Sequence, residues 1–226
     1  MRMGIGTMTL FLDREDAGRR LGMRLAGRAF ERPLVLALPR GGVEVGFEVA
    51  TALHAPLDVI VARKLGAPDQ PELAIGAIAP GVVVLNERIV EQLGVSRADV
   101  EALIAEETAE MERRAAAYRG GRPALDVTDR AVILVDDGLA TGATAAAAIR
   151  SIRAGRPARI VLAVPVAAAE TVSRISEQAD EVMCLAVPTD FRAVGQWYED
   201  FGQTSDRQVI ELLERAGTSG PKGAVS

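Results

Sequence analysis

The sequence holds almost nothing with which to build thiol, imidazole or membrane chemistry. Cys184 is its one cysteine and His54 its one histidine. That excludes a disulfide, a thiolate zinc cluster, a histidine-based triad and a multi-histidine metal site. Cys184 lies in the apolar run VMCLAV, where it reads as a small core residue. His54 precedes Ala55-Pro56 at the expected end of a helix, where it reads as solvated or capping. No apolar run approaches the ~18 residues of a membrane span. The opening MRMGIGTMTLFLDRED has too short an apolar stretch, and no cleavage site, for a signal peptide. The expected location is cytoplasmic, with Met8 an alternative start that would set residues 1–7 apart. The net charge of −5 argues against a nucleic-acid-binding surface. Lysine is scarce too, because 24 of the 26 basic residues are arginine and only Lys64 and Lys222 are lysine. Lys64, inside the body of the chain, therefore stands out as a compact, mobile ammonium among planar guanidinium groups.

What is present is the material of one α/β domain: 226 residues, 49% hydrophobic and 25% charged. Continuous apolar runs at 34–38, 57–62, 82–86, 131–137, 159–166 and 181–187 read as strands buried on both faces. Helical patterns at 14–29, 44–53, 97–118, 143–154, 167–178 and 205–215 alternate with them. The expectation is a three-layer α/β/α domain over residues 8–216 with a mostly parallel sheet of five to six strands. Residues 63–130 interrupt the rhythm with RKLGAPDQPELAIGAIAPG, a short strand and a charged helix. They read as an insertion at the sheet edge or a mobile cover. That helix has an N-cap in Ser96 with Asp99 in the reciprocal position. Residues 188–204 form an expected small C-terminal hood, and the Gly/Ser/Pro-rich residues 217–226 read as a disordered tail.

Two strand-to-helix turns carry small residues. In LALPRGGVEVG, Arg40, Gly41 and Gly42 follow the first strand. In LVDDGLATGAT, two carboxylates, Asp136 and Asp137, precede Ala140, Thr141, Gly142, Ala143 and Thr144. Amides at a helix start can point at an anion, and the helix dipole favours negative charge there. Neither turn is a Walker motif or a dinucleotide fingerprint. The two aspartates can accept hydrogen bonds from a vicinal diol, the 2′- and 3′-hydroxyls of a ribose, with donors for its 5′-phosphate in the loop beyond. The plainer alternative is a helix cap beside a solvated neighbour.

VILVDDGLATGAT resembles the phosphoribosyl-pyrophosphate (PRPP) signature of type I phosphoribosyltransferases. The resemblance covers about thirteen residues tightly, and the order of elements fits the same fold over roughly residues 30–190. It implies that Asp136 and Asp137 hold the ribose hydroxyls and residues 140–144 the 5′-phosphate. Pyrophosphate then falls to Arg40, Gly41 and Gly42, in a loop that often has an unusual peptide conformation, assisted by Arg63 and Lys64. A flexible loop closing over the reacting centre is implied in the PELAIGAIAPG region and the Arg-rich end of the long helix. The implied partners are PRPP and a small-molecule acceptor, with the chain a homodimer. The implied cofactor is Mg²⁺, held mainly through substrate oxygens, with Asp136 and Asp137 as protein carboxylates.

The acceptor implied is a nitrogenous base, purine favoured. Phe191, Val194 and Asp200 are similar to a 6-oxopurine base pocket, with extra residues in the spacing, and Trp197 and Tyr198 lie between them. Equally, these aromatics can simply pack a cap onto the sheet. Ala140 stands where 6-oxopurine enzymes carry an acidic residue, a pattern closer to adenine-type enzymes. Glu44, Glu72 and Asp200 are the candidate replacements. Two other readings share the cradle: a PRPP- or nucleotide-sensing regulator, and a phosphohydrolase.

Overall fold

The computed structural model describes residues 10–219. Helix α1 (Arg14–Ala26) precedes β1 (Leu34–Ala37), α2 (Gly41–Leu53) and β2 (Leu57–Val59). Then come β3 (Arg63–Ala67), β4 (Gln70–Ala79), β5 (Val82–Leu85), α3 (Glu87–Leu93) and α4 (Arg97–Arg119). The chain returns through β6 (Ala131–Val135), α5 (Ala143–Ala154), β7 (Arg159–Val166), α6 (Ala169–Ser176) and β8 (Glu181–Ala186). A 3-10 turn (Val194–Trp197) and α7 (Asp206–Ser219) complete it.

Five strands form one parallel sheet in the order β2-β1-β6-β7-β8. Every residue of β1 and β6 is buried, as their unbroken apolar sequences require. Their side chains alternate between two cores. Val35, Ala37, Ile133 and Val135 face α1 and α2 with Leu21, Leu25, Val43, Val45 and Val49. Leu34, Leu36, Val132 and Leu134 face α5 with Ala145, Ala148, Ile149 and Ile152. The three-layer expectation holds. The charged face of α4 is capped as expected, with Ser96 Oγ accepting from the Asp99 amide at 3.1 Å and donating to its carboxylate at 2.7 Å. His54 is the exposed left-handed C-cap of α2. No helix among the described residues is long and apolar enough to cross a membrane.

Two expectations for the insertion and one for the C-terminus are corrected. The stretch anticipated as an elaboration at the sheet edge or a mobile cover contains β4, the middle strand of a separate antiparallel sheet ordered β3-β4-β5. The apolar run at 82–86 belongs to this sheet as β5 rather than to the parallel one, and Val83 is 46% exposed. Small residues make the difference: Ala77 and Ala79 of β4 pack against Ala147 of α5, and Gly76 admits the β5 backbone, since a Cβ there would collide with Val84 O. At the other end, Gly217, Thr218 and Ser219 continue α7 instead of starting a disordered tail. Adding residues to a helix already nucleated by packed turns costs little, and Val209 and Leu213 anchor those turns. Residues 1–9 and 220–226, including the proposed start at Met8, lie outside the described residues.

Candidate active site

Sheet order places the site. From β1 the chain runs outward to β2, whereas from β6 it runs outward through β7 to β8, so the order reverses between β1 and β6. Ligands bind open α/β sheets in the crevice at the carboxyl ends of such strands. Both small-residue turns leave from there, side by side, with the Leu38 amide donating to Val135 O at 2.9 Å.

The two turns touch. The Pro39–Arg40 peptide is cis, and α2 begins at once with Gly41 and Gly42. A methyl group added at Gly41 would overlap Asp137 Oδ2 and lie 2.7 Å from Arg14 Nε. One added at Gly42 would lie 3.0 Å from Asp136 Cα and 3.1 Å from its Oδ1. Glycine is needed here for close approach rather than for unusual dihedrals. The first loop therefore lies directly against the acidic pair.

Asp136 and Asp137 directly follow β6 and are partly buried. The Asp137 amide donates to Asp136 Oδ1 at 2.8 Å, and Arg14 Nε donates to Asp137 Oδ2 at 2.8 Å. Burial holds the Asp136 carboxyl well above the usual carboxylate range, and the neighbouring Asp137 charge raises it further. Burial also raises Asp137, against the opposing pull of Arg14. This is a carboxylate pair short of donors, which hydroxyl groups from a ligand would supply.

The second loop is held open by α6. Gly142 is the N-cap of α5, with φ 68°, and a Cβ there would lie 2.7 Å from Thr171 Cγ2. Thr171 Oγ1 donates to Ala140 O, and Arg174 donates to Thr141 O. The loop's carbonyls are thus turned toward α6, while the first amides of α5 have no partner within the helix. Ala140 and Thr141 are exposed, and Ala143 and Thr144 are partly so. An anion at a helix start of this kind meets both donors and the positive end of the dipole.

The basic residues divide. Arg40 turns toward α7, 3.7 Å from Asp206 Oδ1. Arg63 and Lys64, as successive residues of β3, leave on opposite faces. Arg63 is paired with Glu107 of α4. Lys64 stands opposite Ala77, so it leaves β3 on the face that packs against α5. Its Nζ is 3.7 Å from Glu72 Oε2. Of the suggested acid–base residues, Glu72 is fully exposed, Glu44 accepts from Thr204, and Asp200 accepts from the Gly202 amide at 2.9 Å.

The hood also separates into two parts. Trp197 and Tyr198 are buried with Phe11, Ala17 and Val166, so their rings pack the hood onto the sheet and offer no open face to a base. Tyr198 Oη donates to the Asp137 carbonyl at 2.5 Å, and burial raises its pKa. Phe191 and Val194 are partly exposed and Asp200 is exposed. Val194 leans over the second loop, where a Cβ on Gly138 would overlap it. Sequence reasoning missed Arg14, Thr171 and Arg174. The last two sit in an ordinary helix, but Arg14 left a trace: a cation in the first turn of a helix, where the dipole disfavours it.

Comparison with known proteins gives one answer. A family model described as the phosphoribosyl transferase domain matches residues 12–201. The chain is 51% identical over 210 residues to a putative phosphoribosyl transferase of Mycobacterium tuberculosis, found alike in two strains, with 92% of this chain covered. Those 210 residues span 47% of that relative's length, about half. Among solved structures, the protein TT1426 from Thermus thermophilus has a TM-score of 0.78 at 43% identity, covering 91% of this chain and 98% of that one.

Proposed function

Because the chain belongs to the phosphoribosyltransferase domain family, we propose that it transfers the 5-phosphoribosyl group of PRPP to a nitrogenous acceptor, purine favoured, and releases pyrophosphate. The observation that carries this reading is the contact between the two anion loops, with Gly41 and Gly42 lying on Asp136 and Asp137. A molecule with phosphate at one end, a diol in the middle and pyrophosphate at the other fits that order of groups. Residues 140–144 would take the 5′-phosphate and the acidic pair the ribose hydroxyls. The amides of Gly41 and Gly42 would take the pyrophosphate, with Lys64 swinging in from β3.

In the reaction the bond from C1 of the ribose to pyrophosphate breaks as a bond to the acceptor nitrogen forms, and that nitrogen gives up its proton. Positive charge grows on the sugar and negative charge on the leaving group. Fixed donors aimed at such charge are a large source of rate enhancement. Among the described residues no three His, Cys, Asp or Glu side chains form a metal cluster. The neighbouring carboxylates of Asp136 and Asp137, hard oxygen donors, would fit magnesium carried mainly on the substrate's own oxygens. Bound there, magnesium would neutralise charge on pyrophosphate as it leaves. A cytoplasmic homodimer is part of the same reading.

Calorimetry with PRPP and Mg²⁺ tests the ribose assignment. Hydrogen bonds to charged groups are worth about 1.5–3 kcal/mol each, so Asp136→Asn with Asp137→Asn is expected to weaken binding by roughly a hundredfold or more. The far-ultraviolet circular dichroism is expected to stay unchanged. Equal affinity in the double variant would remove the acidic pair from the binding site.

A further inference from the structure

The turn after β6 is held at three successive carbonyls. Leu139 O accepts from the Ala168 amide at 3.0 Å, Ala140 O from Thr171 Oγ1, and Thr141 O from Arg174 Nη2. Ala168 is the N-cap of α6, and Thr171 and Arg174 follow at steps of three, so all three donors share one face of that helix. In a strand successive carbonyls alternate in direction, whereas these three all turn toward α6. Their peptides are trans, since the one cis bond among the described residues is Pro39–Arg40, and a planar trans peptide points its N–H away from its C=O. The amides of Ala140, Thr141 and Gly142 therefore face away from α6. Among the described residues none of the three has a hydrogen-bond acceptor. Successive amides aimed one way form a concavity suited to an anion, and it adjoins the unpaired first amides of α5.

The turn's own sequence does not enforce that direction. Gly142 sits at φ 68°, but glycine takes either sign of φ readily. Half a turn of the Thr141–Gly142 peptide would carry its amide round to α6 and leave a carbonyl facing the anion. Arg174 occupies that carbonyl, and Thr171 the one before it. Thr171 is 4% exposed and works at both ends of its side chain. Its hydroxyl holds Ala140 O, and its methyl closes on Gly142, where a Cβ would lie 2.7 Å away.

We propose that Thr171 and Arg174 are positioning residues for the 5′-phosphate: they lock two peptide planes so that the amides of Thr141 and Gly142 face the ligand. This rests on the assignment of residues 140–144 to that phosphate. Both side chains act through the backbone they hold, without touching the ligand. A loop whose glycine permits two peptide orientations is thereby kept in the one that binds.

Half-ligands separate positioning from general stability, because ribose 5-phosphate would use this turn and pyrophosphate the other. In calorimetry Thr171→Val, which keeps the methyl and removes the hydroxyl, is expected to bind ribose 5-phosphate about fivefold more weakly. Arg174→Met is expected to lose a similar factor, and the double variant about twentyfold. Pyrophosphate affinity is expected to hold in all three. Thr171→Ser and Arg174→Lys, which keep a donor, are expected to recover most of the loss. Unchanged ribose 5-phosphate affinity in the double variant, or equal losses for both ligands, overturns the proposal. Should Thr171→Val fail to fold, Arg174→Met decides by the same comparison, since Arg174 is exposed.

A second readout needs no ligand. In ¹⁵N-labelled protein, relaxation dispersion at the amides of Ala140, Thr141 and Gly142 is expected to be flat in the wild type. In the double variant, or in Arg174→Met alone, the same amides are expected to show exchange on the μs–ms scale as the peptides turn over. Flat profiles in the variants overturn the proposal. If wild-type protein binds neither half-ligand, the PRPP reading falls, and relaxation dispersion still decides whether α6 locks the turn.

Discussion

The turns after β1 and β6 leave neighbouring strands and end in helices, yet they are built differently. The turn after β6 is braced from outside: α6 takes hold of its carbonyls through Thr171 and Arg174. Gly142 makes its corner with a positive φ. Among the described residues the turn after β1 has no comparable brace, and its shape follows from having no side chain where it meets Asp136 and Asp137. One loop is a scaffolded turn, the proposed anion cradle, with carboxylates at its mouth, and the other is a bare backbone laid against those carboxylates. In the proposed reading, two phosphate groups can stand beside acidic residues because amides and helix dipoles, rather than side-chain cations, would supply most of the positive charge.

The strongest way to break this comparison is Gly142→Val. A branched residue there meets both a positive φ and the Thr171 methyl, at a cost of about 2 kcal/mol or more. Binding of ribose 5-phosphate is expected to vanish in calorimetry. Retained binding would show that the cradle does not depend on that corner. Gly41→Ala tests the bare loop. A Cβ must displace Asp137 or Arg14, with an expected stability loss of about 1–3 kcal/mol and a PRPP affinity at least about tenfold lower. An unchanged melting temperature and affinity would mean that the loop has room the structure denies it.

A smaller effect separates the two carboxylates. Asp136 binds its proton more tightly folded than unfolded. The native state therefore holds more protons between the ordinary carboxylate pKa and the raised value, and stability falls as pH rises through that window. Asp136→Asn lifts this penalty, so its melting temperature is expected to exceed that of the wild type at neutral pH, by ~2–4 °C for ~1 kcal/mol. The gap should close below about pH 4. Asp137→Asn has the opposite expectation, since it leaves Arg14 buried without its anion. The same sign in both variants would contradict the division between them. Smallest in stability is Lys64→Ala, expected within about 0.5 kcal/mol of wild type. Turnover should fall about tenfold while ribose 5-phosphate affinity holds. Equal losses in both would take Lys64 away from pyrophosphate.

The same contrast explains what could be read from the sequence. The parallel sheet was legible because strands buried on both faces must be unbroken apolar runs, as LVLA and AVILV are. The second loop was legible because its chemistry is local: carboxylates, small residues and hydroxyls fall within nine positions. The antiparallel sheet was not, because the face of β4 that meets α5 packs through Ala77 and Ala79, which carry little hydrophobic signal, and only Ile75 and Ile78 mark its other face. Even so, Pro80-Gly81 between apolar runs is a two-residue turn signal that marked the β4–β5 hairpin. Tyr198 and Trp197 were ambiguous for another reason. An aromatic that packs a hood and one that stacks on a base look the same in one dimension, and only burial separates them. Arg14 left only its place in a helix's first turn as a signal, and its partners could not be read, since they lie 123 and 188 residues away.

The most direct measurement is pyrophosphate release from PRPP and Mg²⁺ with adenine, hypoxanthine, guanine, pyrimidines or no base. Release that requires a base, greatest with one purine, is the predicted result. Release at the same rate with no base present would contradict transfer and identify a hydrolase.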